Sequence, residues 1–451
     1  MNPQIFRAYD IRGVADRDLT DDVVSRIARA YGTVVRRAVP ERAPRVAVGR
    51  DCRLSSERIF AAFSAGLAAT GVDVLDVGVG ASPELYWSVF HLDADGGVQI
   101  TGSHNPAEHN GMKMMLGKTT LHGAAIAELR ALVEAGSFAE GTGVTSRHDL
   151  RAAYVADIVG RVALGPRRPR VVLDGGNGAG GPAGEALVRA LGLEATFLHT
   201  AMDGTFPNHH PDPTVEENLE EVIAAVRATG ADLGIAYDGD ADRIGVVDDQ
   251  GHVLWGDRLL ILLARAVLAA HPGAAIVGEV KCSQTLFDDV ARHGGRAIMS
   301  AVGHSIIKDR MKVEGALLAG EMSGHIFYKD RWYGFDDAIY VTARLLEILS
   351  HADRPLSALL ADVPTTHVTP EIRLDCPDET KFSVVAQAVD HYRASHPVVD
   401  IDGARIDFGD GWGLVRASNT QPVIVLRAEA DSAEALARIR SELEGFVAAR
   451  G

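Results

Sequence analysis

The sequence predicts an α/β protein: three related α/β domains with mixed sheets, followed by a C-terminal α+β domain. Three observations carry that expectation. First, one grammar of apolar strand, small polar or Gly-rich turn and amphipathic helix occurs three times. It runs through RVAVGRDCRLSSERIFAAFSAGLAATGVDVLDVG (45–78), RVVLDGGNGAGGPAGEALVRALGLEATFLH (170–199) and AAIVGEVKCSQTLFDDVARHGGRAIMSAVG (274–303). Each fits β-α-β spacing, hence parallel or mixed sheets flanked by helices. Second, the copies recur at intervals of roughly a hundred residues, as separate domains do and a single large sheet does not. Third, the tail from about 367 abandons the grammar for mixed strands and helices, THVTPEIRLDC, KFSVVAQAVDHYRA and ARIDFGDGWGLVRASNTQPVIVLRAEA. The domains are expected at 1–150, 151–252, 253–366 and 367–451.

Composition narrows the function. With 47% hydrophobic and 24% charged residues, the 451-residue chain can bury several cores. Lys and Arg total 45 against 61 Asp and Glu, a net charge of −16. That excess opposes binding to nucleic acid or an anionic membrane, which need a positive field. An anionic small molecule would have to be gripped by Arg and Lys clustered in a cleft. Cys52, Cys282 and Cys376 are too far apart for a disulfide frame or a zinc pattern, and predict reduced thiols in a cytoplasmic protein. The start, MNPQIFRAYDIRG, lacks a signal-peptide pattern. The most apolar run, LLILLARAVLAA (259–270), is too short to cross a bilayer and carries Arg265, so it predicts a buried helix. A monomer is the default expectation.

The polar motifs follow in chain order. AYDIRG (8–13) offers Tyr9 and Arg12. TGSHNP (101–106) follows the strand-like GGVQI, and its Gly and Asn-Pro put Ser103 on a tight loop. α/β proteins keep nucleophiles at such strand ends, and ordinary capping serines too. His104 adjoins it, and Lys113 follows in NGMK (110–113). GNGAGG (176–181) satisfies G-x-G-x-x-G, but no convincing acid stands at the end of the next strand. A strand-to-helix packing turn is therefore favoured over a dinucleotide site.

The sharpest signal is DLGIAYDGDADRIGVVDDQG (232–251). Asp238, Asp240 and Asp242, at i, i+2 and i+4 on a loop, can converge on one hard divalent cation and repel one another without it. The bland alternative is a solvated acidic turn. An EF-hand is rejected, because Arg243 stands where that loop needs Gly, Asp249 where it needs Glu, and the flanks read as strands. Arg243 beside the carboxylates points to an anionic ligand. Lys281 in EVKCS and His304 in VGHS are isolated polar residues. GEMSGH (320–325) presents Glu321, Ser323 and His325 on one face if the loop is extended, a mix that matches sugar hydroxyls, or else it is a capping turn. RASNTQP (416–422), with Arg416, Ser418, Asn419 and Thr420, has a phosphate-binding composition, although alone it also fits a surface loop.

In this order, AYDIRG, TGSHNP, NGMK, DGDADR, GEMSGH and RASNTQP resemble the α-D-phosphohexomutase superfamily, from residue 6 to beyond 420. The serine and sugar loops are similar to those of its bifunctional phosphomannomutase/phosphoglucomutase group. Phosphoglucosamine mutases typically carry Gln at Met322 and an Ala-Ser-His-Asn-Pro serine loop; that activity is the alternative. Gln421 departs from the family's usual Glu, with little consequence expected. The resemblance implies four domains around a central cleft, transfer between C1 and C6 of mannose and glucose phosphates, and a hexose 1,6-bisphosphate intermediate. Ser103 would carry the phosphoryl group, and its phosphate with Asp238, Asp240 and Asp242 would hold Mg²⁺. Arg12, His104, Lys113, Arg243 and His325 would surround the group in transit, Lys113 and His325 being the candidates for proton transfer. Glu321 and Ser323 would grip O3 and O4, leaving C2 little inspected. Arg416, Ser418, Asn419 and Thr420 would hold the other phosphate. Lys281 and His304 would line the sugar entrance, with Tyr9 also on the substrate side.

Overall fold

A computed structural model describes residues 1–418 and 421–450. Each of the three sequence modules folds as two parallel strands joined by a helix. Arg45–Arg50 pairs parallel with Asp73–Val79, Val171–Asp174 with Ala195–Leu198, and Ala275–Glu279 with Arg296–Ser300. The connecting helices are Ser56–Ala68, Gly181–Ala190 and Gln284–Arg292.

A third strand then adds parallel to the first strand of each module: Gly96–Ile100, Leu233–Tyr237 and Leu318–Gly320. A fourth returns antiparallel beside the third: His109–Leu116, Ile244–Asp248 and Ile326–Tyr328. The loop between third and fourth strands is TGSHNP in the first sheet, DGDADR in the second and the GEMSGH turn in the third. Three polar motifs thus hold one topological position, at the carboxyl ends of parallel strands, where open α/β sheets gather ligands. The sheets are mixed because this return strand runs against its neighbours.

The predicted buried helix is Gly256–Ala270. GNGAGG is a packing turn: a Cβ on Gly181 would lie 2.4 Å from the Thr200 carbonyl oxygen, and one on Gly180 2.3 Å from Ala241 Cβ. A continuous apolar cluster runs from Ala47 through Leu173 and Leu260 to Val363, so parts of all three sheets share one core. Shared packing holds the three loops in fixed register.

The C-terminal sheet is antiparallel, ordered His367–Val368, Val423–Ala430, Gly411–Ala417, Ala404–Asp407 and Val398–Val399, with Ile372–Asp375 also on Val423–Ala430. Helices Asp378–Arg393 and Ala433–Ala448 complete it around a separate core. A small apolar patch, Val280 with Trp412 and Leu414, joins it to the third sheet. There the Arg405 guanidinium donates to the Val280 and Cys282 carbonyls at 2.5 and 2.9 Å and lies 3.6 Å above the Trp412 ring. All three cysteines are free thiols. Among the described residues no helix is long and apolar enough to cross a membrane.

Candidate active site

Ser103 lies on the loop between Gly96–Ile100 and His109–Leu116, and it is buried in a left-handed conformation with φ 50°. Its amide donates to Thr101 Oγ1 at 2.9 Å. Its Oγ donates to Asp238 Oδ2 at 2.8 Å and lies 3.1 Å from His104 Nδ1. The serine loop of the first sheet and the acidic loop of the second therefore meet directly. Burial, then the charges of Arg243 and Arg12, push the His104 pKa well below its ordinary value.

Asp238, Asp240 and Asp242 are fully buried, with one oxygen from each lying within 4.8 Å of the others. Lys113, from the return strand of the first sheet, donates to Asp240 Oδ2 at 2.7 Å and to Asp242 Oδ2. Ser82, at the start of helix Ser82–His91, donates its hydroxyl to Asp240 Oδ2 at 2.5 Å. Burial opposes the charge on Lys113, but Asp240 and Asp242 overcome it and hold its pKa well above the ordinary lysine value. Burial would likewise neutralise Asp240, yet Lys113 keeps it ionised. Asp238 bears the surplus: burial, then its two acidic neighbours, raise its pKa far above the carboxylate range. Asp240 Oδ1 and Asp242 Oδ1 are buried and accept no hydrogen bond among the described residues. Carboxylate oxygens left bare in a dry site cost several kcal/mol unless a cation takes them. An all-oxygen set of this kind fits a hard divalent metal.

His325 closes the other side of the cluster. Arg243 donates through Nε to His325 Nε2 at 2.9 Å, while its amide binds Asp238 Oδ1 at 3.1 Å. His325 Nδ1 lies 3.0 Å from Asp336 Oδ2 and 3.6 Å from Asp242 Oδ1. His304 stacks on His325 with centroids 5.7 Å apart, and the Tyr9 ring packs edge-on against His304 at 6.1 Å. Burial, then Lys308, push the His304 pKa well below its ordinary value.

Of the two forms its sequence allows, an extended face or a capping turn, GEMSGH takes the turn. It is a tight turn between Leu318–Gly320 and Ile326–Tyr328, closed by the Glu321 amide donating to the His325 carbonyl at 2.9 Å. Gly324 sits at φ 89° to make it. The turn itself brings the three side chains together: Ser323 Oγ donates to Glu321 Oε2 at 3.2 Å, and His325 Nε2 stands 4.0 Å from that oxygen.

Arg12 donates to Asn105 Oδ1 at 3.1 Å and Asp10 Oδ2 at 2.6 Å, so it flanks the serine loop. Arg416, expected on the phosphate, and Lys281, expected at the sugar entrance, lie at the junction of the third and fourth sheets. Arg416 donates to Asp402 Oδ2 at 3.1 Å, and Lys281 Nζ to Glu371 Oε2 at 3.2 Å. Asp402 Oδ2 also accepts the Val302 amide at 3.0 Å, and Tyr9 donates to the Val302 carbonyl at 3.1 Å, linking this junction to the His304 side. Ser418 Oγ accepts from the Gln421 amide at 3.2 Å. Asn419 and Thr420 lie outside the described residues.

Several contributors carried no motif. Ser82 and Asp336 reach the site from outside the six motifs, and Asp402 and Glu371 occupy the two cations at the junction. Each is a single polar residue in unremarkable surroundings; Ser82 and Asp336 are marked by burial, whereas Asp402 and Glu371 are only half-buried and are marked by their partners alone.

Family models cover most of the chain. Residues 3–140, 152–251 and 255–367 match the models described as phosphoglucomutase/phosphomannomutase alpha/beta/alpha domains I, II and III, and 371–445 match the C-terminal domain. A phosphomannomutase/phosphoglucomutase of Pseudomonas putida is 47% identical over 437 residues, 97% of this chain and 94% of the relative. A phosphoglucomutase of Neisseria gonorrhoeae is 45% identical over 449 residues, covering 98% and 96%. Among solved structures, a phosphoglucomutase/phosphomannomutase family protein of Burkholderia thailandensis superposes with a TM-score of 0.92 at 43% identity, over 100% of this chain and 98% of the other.

Proposed function

The chain belongs to the phosphoglucomutase/phosphomannomutase family of the α-D-phosphohexomutase superfamily, and from that premise we propose that Ser103 is its phosphoryl carrier. The protein is a hexose-phosphate mutase, an isomerase acting on small-molecule hexose phosphates. The observation that carries the serine's role is the contact of its Oγ, at 2.8 Å, with an acidic trio that has two bare buried oxygens.

The reaction in this reading is reversible transfer between C1 and C6 of mannose and glucose phosphates. The phosphate that stays on the sugar is held by Arg416 and Ser418, with Asn419 and Thr420 as further donors. Glu321 and Ser323 hold O3 and O4, Lys281, His304 and Tyr9 the approach to them. The P–O bond to Ser103 breaks while a P–O bond to the free C1 or C6 oxygen forms, giving a hexose 1,6-bisphosphate. That sugar oxygen sheds its proton to His325, and Ser103 Oγ receives one from Lys113, which Asp240 and Asp242 keep charged. The bisphosphate turns end for end and returns its other phosphoryl group to Ser103. Arg12, His104 and Arg243 face the group in transit. A divalent cation, Mg²⁺ in this reading, would be held by Asp238, Asp240, Asp242 and the Ser103 phosphate, where it offsets charge on the transferring group.

The division at 150, 252 and 366, a cytoplasmic location and a monomeric state belong to the same reading. The four sheets support the division, and the free cysteines the location. Little contact with C2 would admit mannose and glucose alike, and Met322 with the Thr-Gly-Ser-His-Asn-Pro loop, where phosphoglucosamine mutases typically carry Gln and Ala-Ser-His-Asn-Pro, argues against glucosamine as the preferred sugar. Assays on mannose 1-phosphate, glucose 1-phosphate and glucosamine 6-phosphate test this: the first two should be comparable and the third slow. Ser103→Ala should abolish transfer on all three while sugar-phosphate binding persists. A dominant rate on glucosamine 6-phosphate would overturn the substrate assignment, and an active variant the carrier.

A further inference from the structure

We propose that Arg53 is a positioning residue for this transfer, fixing the backbone on which Ser103 is mounted. The inference rests on Ser103 being the carrier. Arg53 follows strand Arg45–Arg50 and its side chain is completely buried. Its guanidinium is turned onto the main chain of the serine loop. Nη2 donates to the carbonyls of Ser103 and Asn105, both at 2.6 Å, and Nη1 to those of Pro106 at 2.6 Å and His109 at 3.1 Å. One planar fork thus ties four carbonyls within seven residues.

Asp51 completes the grip from the amide side. Its Oδ2 accepts from Arg53 Nε at 3.1 Å and from the Gly102 amide at 3.2 Å, and its Oδ1 from the Arg53 amide at 3.0 Å and Ser56 Oγ at 2.5 Å. The pair is charge-balanced and dry, so removing either member strands the other. Behind it the Phe206 ring, from the second sheet's long loop, lies 5.0 Å from the guanidinium. Space is tight: a Cβ on Gly102 would come 2.6 Å from Arg53 Cζ.

Ser103 needs this grip because it sits at φ 50°, a conformation that a residue with a Cβ avoids unless its surroundings impose it. Released, the serine would fall back to an ordinary backbone well and swing Oγ away from Asp238. Glu321, Ser323, Arg416 and Ser418, on the third and fourth sheets, would be untouched. Loss of the grip therefore acts on the chemical step and leaves substrate binding alone. Lysine, with a single nitrogen and no planar fork, cannot serve four carbonyls.

The test is single-turnover phosphorylation of Ser103 by glucose 1,6-bisphosphate, read by rapid quench and intact mass, on wild type, Arg53→Lys and Ser103→Ala. For Arg53→Lys the expectation is near-complete labelling at a rate reduced about a hundredfold, with KM for glucose 1-phosphate unchanged. A purely structural arginine would instead lower the labelled fraction and leave the rate of the remaining chains alone. Should Arg53→Lys fail to fold, Asp51→Asn, which keeps shape and removes the counter-charge, gives the same reading. A wild-type rate per labelled chain, beside an inert Ser103→Ala, overturns the positioning role alone. Labelled and active Ser103→Ala overturns the carrier first and this inference with it.

Discussion

Gly324 lets one short turn gather a carboxylate, a hydroxyl and an imidazole. At φ 89°, a Cβ there would also lie 2.4 Å from the Ile244 carbonyl oxygen, which belongs to the second sheet. Gly324→Ala should cost about 1–3 kcal/mol of stability and raise KM for sugar phosphates, checked by thermal denaturation and steady-state kinetics. Asp337, fully buried, accepts from Tyr154, Trp332 and the Tyr340 amide, and burial pushes its pKa up to about 7. A raised carboxyl pKa means the folded state keeps a proton that the unfolded chain has released, so stability falls as pH rises from about 4 to about 7. Asp337→Asn should flatten the stability profile across that window; an unchanged profile would contradict the assignment. At this scale the convergence of Asp238, Asp240 and Asp242 was legible, because carboxylates at i, i+2 and i+4 on one loop can face a common point. Ser82, 158 residues from its partner Asp240, was not, since nothing local distinguishes it from a helix-start serine.

The third and fourth strands of each α/β sheet form a hairpin whose loop carries one of the polar motifs. In the second sheet Leu233–Tyr237 and Ile244–Asp248 hold the three aspartates against their mutual repulsion, with Lys113 as the counter-charge from the first sheet. A cation bound there relieves that repulsion and binds only the folded protein. Chelation with EDTA should abolish activity and lower the melting temperature, added Mg²⁺ should restore both, and Asp240→Asn should lose the thermal response. A melting curve indifferent to metal would count against the trio as ligands. The three β-α-β units were legible from their apolar strands and amphipathic helices. The equivalence of the three loops was not, because it lies in the direction of the return strands rather than in their composition. Nor was Thr145–Arg147, an exposed three-residue strand with no apolar alternation. GEMSGH reads from sequence as either an extended face or a capping turn for a related reason: sequence shows glycines at 320 and 324, not the closure between Glu321 and His325.

Across the whole molecule, one core joins parts of the first three sheets, whereas the C-terminal domain has its own and docks through a small patch and a few polar contacts. Such an arrangement suits the proposed mechanism, in which this domain would bind a phosphate in two orientations while the sugar turns. Arg405→Met should weaken the docking, giving an earlier separate melting step for this domain and a larger radius of gyration in solution scattering. An unaltered profile would mean that the remaining contacts suffice. Four units could be read from the sequence because the tail drops the repeating grammar. Their mutual packing could not, since the contacts that fix it, such as Lys281 with Glu371 and Asp402 with the Val302 amide, join single residues about a hundred positions apart. The most direct trial of the account is intact-mass measurement of the purified protein before and after exchange with hexose phosphate. It predicts a population heavier by one phosphate, discharged by substrate, recharged by the bisphosphate and missing in Ser103→Ala. Turnover at the normal rate by chains that never gain that mass would contradict it.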